Sequence, residues 1–470
     1  MSNKKNFFYY LLPSIIAGIV GIAILPISTF YLDPVDFGIY ALLTAFVMPA
    51  GSFSSVGAAW VAGGHFFKIN ESKRGELIFN VLFVDFLSKL LWFMIFWFIL
   101  PIILPVVFGE YNLYYYFLSK LVLVSLLLNA FGASISIFLI YQRRAKVHAI
   151  VELIGPIVSS IVIVFCLTIF KLKTVSLFIG PVIAEIISVF IGLWFLRNYI
   201  TLNINKNWIV EIIKVGLPAI PTELISLLNN IADRFFINKW LNLNTLGIYA
   251  HSLNYRSIFG LGSKAFGRIY SPHAVEKFSD SNKVFDLEDW IKNWFGLIKI
   301  GGVFVTLFSY EAVNILTHGK FIEAAPLIPL WYLLIALYTY GVTYYQFLLA
   351  NKKNIYLAVS AAIITIFSVG LVAFAVFKFG LLGAVIAALV SNCITQYSFK
   401  WYAQKHGCLK IGAQEFFSTV IGLVALYLLN IYLDFTLLMK IGLSISLSVF
   451  LIYKYDFIKY FRIKVKSQIL

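Results

Sequence analysis

An all-α integral membrane protein of about fourteen transmembrane helices is predicted by three features of the sequence. Of its 470 residues, 61% are hydrophobic and 12% charged, giving a mean hydropathy of +0.90. Such a chain is too apolar to fold as a water-soluble domain, so lipid is its main solvent. Apolar windows of roughly 20 residues, the length that crosses a hydrocarbon core, recur from Phe7 to Tyr453. Only short polar breaks separate them, which implies helices rather than a barrel. The spans fall near 7–30, 38–63, 78–104, 114–140, 148–170, 175–196, 211–237, 246–271, 292–316, 325–349, 355–377, 381–402, 412–430 and 435–453. The first stretch lacks a small-residue cleavage site and reads as the first helix, not as a signal peptide.

A net charge of +16 would suit a nucleic-acid binder, but in a membrane chain Lys and Arg collect in cytoplasmic loops. With the N-terminus inside, Lys4, Lys5, Lys68, Lys73, Arg74, Arg143, Arg144, Lys352, Lys353 and the basic tail share one side. The other side holds only Lys171, Lys173, Lys239, Lys320 and Lys378 in short loops. Both termini are therefore expected in the cytoplasm, with no nucleic acid as partner and an even number of spans. The widest loop, 271–290, would also be cytoplasmic. Cys166, Cys393 and Cys408 are scattered, without CxxC or metal spacing. No P-loop, HExxH or GxSxG occurs, so neither ATP hydrolysis nor a recognisable enzyme chemistry is encoded, and no cofactor is expected.

The chain repeats itself. Gly38-Ile39-Tyr40-Ala41 recurs as Gly247-Ile248-Tyr249-Ala250, an offset of 209, and the same offset carries Gln142-Arg143-Arg144 onto Asn351-Lys352-Lys353. An even number of spans per copy makes the repeat parallel. The expected organisation is an N-terminal six-helix lobe (1–200), a C-terminal six-helix lobe (201–405), and two extra helices with a basic cytoplasmic tail (406–470).

Ionisable residues at membrane depth usually face a bundle interior or a wet cavity. In the eighth span, Ser252, Arg256, Ser257, Gly260, Ser263, Lys264, Gly267, Arg268 and Ser271 fall within an arc of about 160 degrees. Tyr255, Phe259, Phe266 and Tyr270 lie outside it. A face of small and cationic residues suits an anion, or alternatively an interfacial helix or buried salt bridges. The seventh span carries Glu223, Ser226, Asn230 and Asp233 on one stripe with Arg234 beside it, either as partners of the eighth or as a proton or cation site. In the third span Asp85 and Lys89 sit at i and i+4, where they can neutralise each other. Glu152 and Glu185 each stand four residues from a proline and can satisfy freed backbone groups. Ser14, Gly18 and Gly21 share a face of the first span that would permit close helix packing.

The segments 31–41, 231–237 and 246–250, with 379–384, resemble the signatures of the O-antigen and capsule (Wzx-type) polysaccharide flippases. The resemblance covers nearly the whole chain. It implies the fold of the multidrug/oligosaccharidyl-lipid/polysaccharide exporter superfamily, two lobes around a cationic cavity that alternates in access across the bacterial inner membrane. The implied cargo is an undecaprenyl-diphosphate-linked oligosaccharide repeat unit for O-antigen, capsule or lipopolysaccharide, with membrane lipids and polysaccharide polymerase machinery as partners. Arg256, Lys264, Arg268, Asn230 and Lys89 would then line the substrate cavity, with Glu223, Asp233, Arg234 and Asp85 as coupling or ion-pair partners.

Two other functions fit the composition. A drug or cation antiporter of the same superfamily would want an acid in the first span, yet 7–30 contains no Asp or Glu. A membrane glycosyltransferase or polymerase would want a sizeable acidic outer loop, whereas Asp33 and Asp36 sit in a short one that reads as a turn and helix cap.

Overall fold

The computed structural model describes residues 2–47, 61–62, 65–110, 112–216, 220–279, 285–408 and 412–455. Among them there is no strand. By packing, the chain separates into two units, Met1–Ala250 and His251–Leu470.

The first unit contains α1 (Ser2–Tyr31), α2 (Pro34–Val47), α3 (Glu71–Phe108), α4 (Leu113–Tyr141), α5 (Ala145–Thr168), α6 (Ser176–Leu196), the short α7 (Lys206–Gly216) and α8 (Ile220–Trp240). It also holds the start of α9 (Leu243–Ser279). Neighbours along the chain pack together: α3 on α4, α5 on α6, with α1 against α5 and α2 against α4. Helix α2 begins where sequence chemistry says it should. Pro34 occupies the first helical position, and the Asp36 carboxylate reaches back to accept the Asp33 N–H at 3.0 Å. Asp36 also accepts from the Thr174 hydroxyl, so the cap is tied to the loop before α6.

In the second unit α10 (Phe285–Thr317) packs against α11 (Leu327–Ala350), α13 (Ala413–Leu433) and α14 (Leu437–Lys454). Helix α11 is the most enclosed, with Trp331, Tyr344 and Ala336 fully buried. Residues Asn354–Lys405 form α12, broken at Gly380, whose φ of 60° and ψ of −139° no helix accommodates. The two halves fold back on each other: Tyr356 donates to the Ser398 carbonyl at 3.0 Å and stacks on Tyr402.

Nine of the described helices are long and apolar enough to cross a membrane. Helix α12 counts twice, and α1, α2, α8 and α9 are the shorter or more polar remainder. With these counted, the helices number about fourteen, as the sequence predicts. Two expectations change. The seventh span (211–237) is not one of them: α7 and α8 cover it on either side of 217–219, which lie outside the described residues. The loop expected over 271–290 is mostly helix, because α9 runs to Ser279 and α10 starts at Phe285. Buried Ala274, Leu287 and Ile291 extend the core into what reads as a polar loop. At Gly21 an added Cβ would meet nothing within 4 Å, so the small-residue face of α1 makes no close backbone contact there.

The 209-residue offset is visible in the backbone. Arg143 (φ 56°) and Lys352 (φ 57°) adopt the same left-handed turn. Each is followed by the same bond, Arg144 N–H to the Leu139 carbonyl at 3.0 Å and Lys353 N–H to Leu348 at 2.9 Å. Likewise Leu32 bonds back to Ser28 and Leu241 to Ile237, both at 2.9 Å.

Candidate functional site

Helix α9 is two-sided. His251, Ser252, Tyr255, Phe266, Tyr270 and Ala274 are buried. Arg256, Lys264 and Arg268 are exposed along the other side. The buried side runs along α11: the Trp331 indole donates to Ser252 Oγ at 2.9 Å, and Tyr270 shares a 2.7 Å bond with Thr343. Gln346 donates to Ser271 Oγ at 2.8 Å.

These bonds narrow the cationic face. Ser252, Ser263 and Ser271, placed on it by periodicity, belong instead to the packed side or its edge, where Ser252 and Ser271 satisfy donors of α11. What remains exposed on that face is Ser257 and the three cations. The Arg256 guanidinium lies 4.9 Å from the Trp331 ring centroid, a cation–π contact that holds the side chain without neutralising it. Among the described residues, no carboxylate forms an ion pair with Arg256, Lys264 or Arg268. Three uncompensated charges at i, i+8 and i+12 beside a low-dielectric wall attract a polyanion more strongly than they would in water.

The other expected residues lie in the first unit. Glu223 and Asn230 are on α8, their side chains outside the described residues. Asp233 accepts from the Tyr249 hydroxyl at 2.7 Å and from the Arg234 N–H at 2.8 Å, with the Arg234 guanidinium 3.7 Å away. Asp233 thus meets the start of α9 through Tyr249.

Lys89 differs from the helix α9 cations. It is only 2% exposed, and its ammonium sits 3.7 Å from Asp85, whose carboxylate also accepts from Ser134 at 2.9 Å. The pair neutralises itself inside the bundle, so Lys89 presents no open charge. Nearby, Glu185 accepts from the Ser125 hydroxyl at 2.9 Å rather than from backbone freed by Pro181.

Sequence reasoning missed a second set of buried ion pairs. Lys299 on α10 donates to Glu415 at 2.7 Å and to Ser418 at 2.8 Å, and Tyr455 closes the group by donating to Glu415. Lys440 on α14 meets Glu311 at 2.7 Å. Each partner lies more than a hundred residues away, so no local pattern signals the pairing.

A family model described as polysaccharide biosynthesis protein matches residues 4–260, more than half of the chain. The chain belongs to that family. None of the curated protein sequences matches it. Among solved structures it is similar to the lipid II flippase MurJ in an inward closed conformation, at 14% identity and a TM-score of 0.75, covering 97% of this chain and 99% of that one. It is similar also to a MATE multidrug-resistance transporter of the MOP superfamily in an inward-facing conformation (16% identity, TM-score 0.55, 85% and 94% covered). A Vibrio cholerae MATE transporter matches at 13% identity and a TM-score of 0.53, with 85% and 94% covered. These likenesses show that the polysaccharide biosynthesis protein shares its fold with MurJ and the MATE transporters. Its apolar helices make it a multi-pass membrane protein.

Proposed function

We propose that this transporter moves an undecaprenyl-diphosphate-linked oligosaccharide repeat unit across the bacterial inner membrane by alternating access, for O-antigen or capsule assembly. The observation that carries the proposal is the exposed row of Arg256, Lys264 and Arg268, three cations on a span that pays for their exposure to no carboxylate. A diphosphate supplies the matching charge, and the sugars need only a wet cleft. The family match to polysaccharide biosynthesis supports the class of cargo.

In the same proposal Asn230 contributes to the sugar site, and Lys89 enters it only if the Asp85 pair opens during the cycle. Asp233, Arg234, Glu223 and Asp85 serve as coupling or structural partners. The chain is organised as two six-span copies, 1–200 and 201–405, followed by the terminal pair. Both termini face the cytoplasm, and polymerase machinery receives the product. Helix α1 offers no carboxylate for a drug cation, and the α9 cations would repel one, so antiport of cationic drugs is the weaker reading.

The test is complementation. Arg256→Ala and Lys264→Ala are expected to abolish surface polysaccharide while the protein inserts at normal level. Full polysaccharide in both variants would overturn the cavity assignment.

A further inference from the structure

At the end of the first unit where α3 and α5 begin, a cavity of about 680 Å³ opens between those helix starts, the α4–α5 turn and the segment after α6. Three guanidinium groups line it: Arg74, Arg143 and Arg144. The one acid among the lining residues, Glu71, is already paired with Arg74 at 2.8 Å. Two positive charges are therefore left over.

Their donors are largely unspent. Arg144 gives one N–H to the Phe195 carbonyl at 3.0 Å and lies 5.2 Å from the Tyr199 ring centroid, so it is held in place with most of its donors open. The Arg143 side chain is exposed, and among the described residues it has no hydrogen-bond or ion-pair partner. Gln142 adds a buried side-chain oxygen with no partner among the described residues. Since amide oxygen and nitrogen are interchangeable by a flip, this group can equally present a donor.

The remaining wall is aromatic. Phe66, Phe67 and Tyr141 form a triangle with centroids 5.3–5.6 Å apart, and Phe67 is 58% exposed. Beyond the cavity, α3 continues with Leu87, Leu91, Met94 and Phe98 exposed, an outer face fit for lipid tails. The cavity thus offers cations for a phosphate and rings for the glycerol and first methylenes, at the start of a helix whose outer face is apolar.

We propose that this cavity holds the phosphate of an anionic phospholipid of the surrounding bilayer. The chemistry recognised is a phosphate ester. Free phosphate shares that charge but has no use for the aromatic wall. The site belongs to the first unit alone, and lipid retention is independent of whether the chain transports an oligosaccharide.

Full-length protein in phosphatidylcholine nanodiscs doped with phosphatidylglycerol, followed by native mass spectrometry, counts the lipids retained. Wild type should retain phosphatidylglycerol in preference to phosphatidylcholine. Arg143→Gln should weaken that retention about fivefold, the contribution of one basic group near a membrane surface. Because the Arg143 side chain is exposed and has no hydrogen-bond or ion-pair partner among the described residues, this variant tests charge without disturbing the fold. Arg143→Lys should recover retention, and Lys171→Gln, in another loop, should leave it unchanged. Equal retention by wild type and Arg143→Gln would overturn the site, as would equal retention of phosphatidylcholine. Displacement of the lipid by inorganic phosphate alone would assign the cavity to a free anion and overturn the lipid proposal.

Discussion

Gly38 and Gly247 are repeat-equivalent residues that pack against each other's helices: a Cβ on Gly38 would fall 2.1 Å from the Leu243 carbonyl oxygen, and one on Gly247 would fall 1.7 Å from that of Pro34. The contact is reciprocal, since the 209-residue offset relates Pro34 to Leu243 as it relates Gly38 to Gly247. Helices α2 and α9 therefore cross backbone to backbone at the duplicated motif, and only glycine allows it.

Gly38→Ala and Gly247→Ala are each expected to lower stability by roughly 1–3 kcal/mol or more, because the opposing atoms are backbone and cannot rotate away. Thermal unfolding of the purified protein in detergent measures this. The double variant should cost less than the sum, because one separation of the helices relieves both clashes. Wild-type melting in either single variant would contradict the crossing.

The Lys299–Glu415 pair predicts a specific non-additivity. Lys299→Met alone or Glu415→Met alone leaves one group without its partner in a poorly solvated place, which costs about 3–5 kcal/mol. Replacing both by Met should cost far less than the two losses together. A double-mutant cycle on melting temperature decides it, and simple additivity would mean that the pair is not formed.

Cys408 follows the end of α12 and is buried, which pushes its thiol up to about 12. A raised thiol pKa keeps the protonated form dominant through the range in which an ordinary cysteine, near about 8.5, becomes thiolate. A Cys166→Ala, Cys393→Ala background should therefore resist maleimide at mildly alkaline pH while folded and label once denatured. Rapid labelling of the folded protein would refute the burial.

Reporter fusions after Asn112, Lys173 and Asp434 test the proposed orientation. All three are expected on the outer side, because the Lys and Arg bias places the opposite loops in the cytoplasm. A cytoplasmic signal from any one of them would break the topology.

Most of the fold was legible in the sequence because lipid imposes a simple rule: each span must satisfy its own backbone and present an apolar surface. The period of apolar windows, the Pro34 and Asp36 start of α2 and the Gly380 break before 381 are local signals of that kind. Helix α9 was legible as amphipathic, yet periodicity alone could not say where exposure stops. Ser252 and Ser271 are polar residues whose partners, Trp331 and Gln346, come from another helix.

The sequence alone determined the helical class, a count of about fourteen helices, the 209-residue repeat of its motifs and the cationic identity of Arg256, Lys264 and Arg268. Each follows from periodicity or composition, which need only neighbours in the chain. The tertiary structure decided which polar groups are spent and which are open. It closed Lys89 on Asp85, tied Asp233 to Tyr249 and bound α13 and α14 to α10 through Lys299 and Glu311. Across the bundle, a charge is neutralised by whatever the fold brings within hydrogen-bond reach, and that distance is not written in the order of residues.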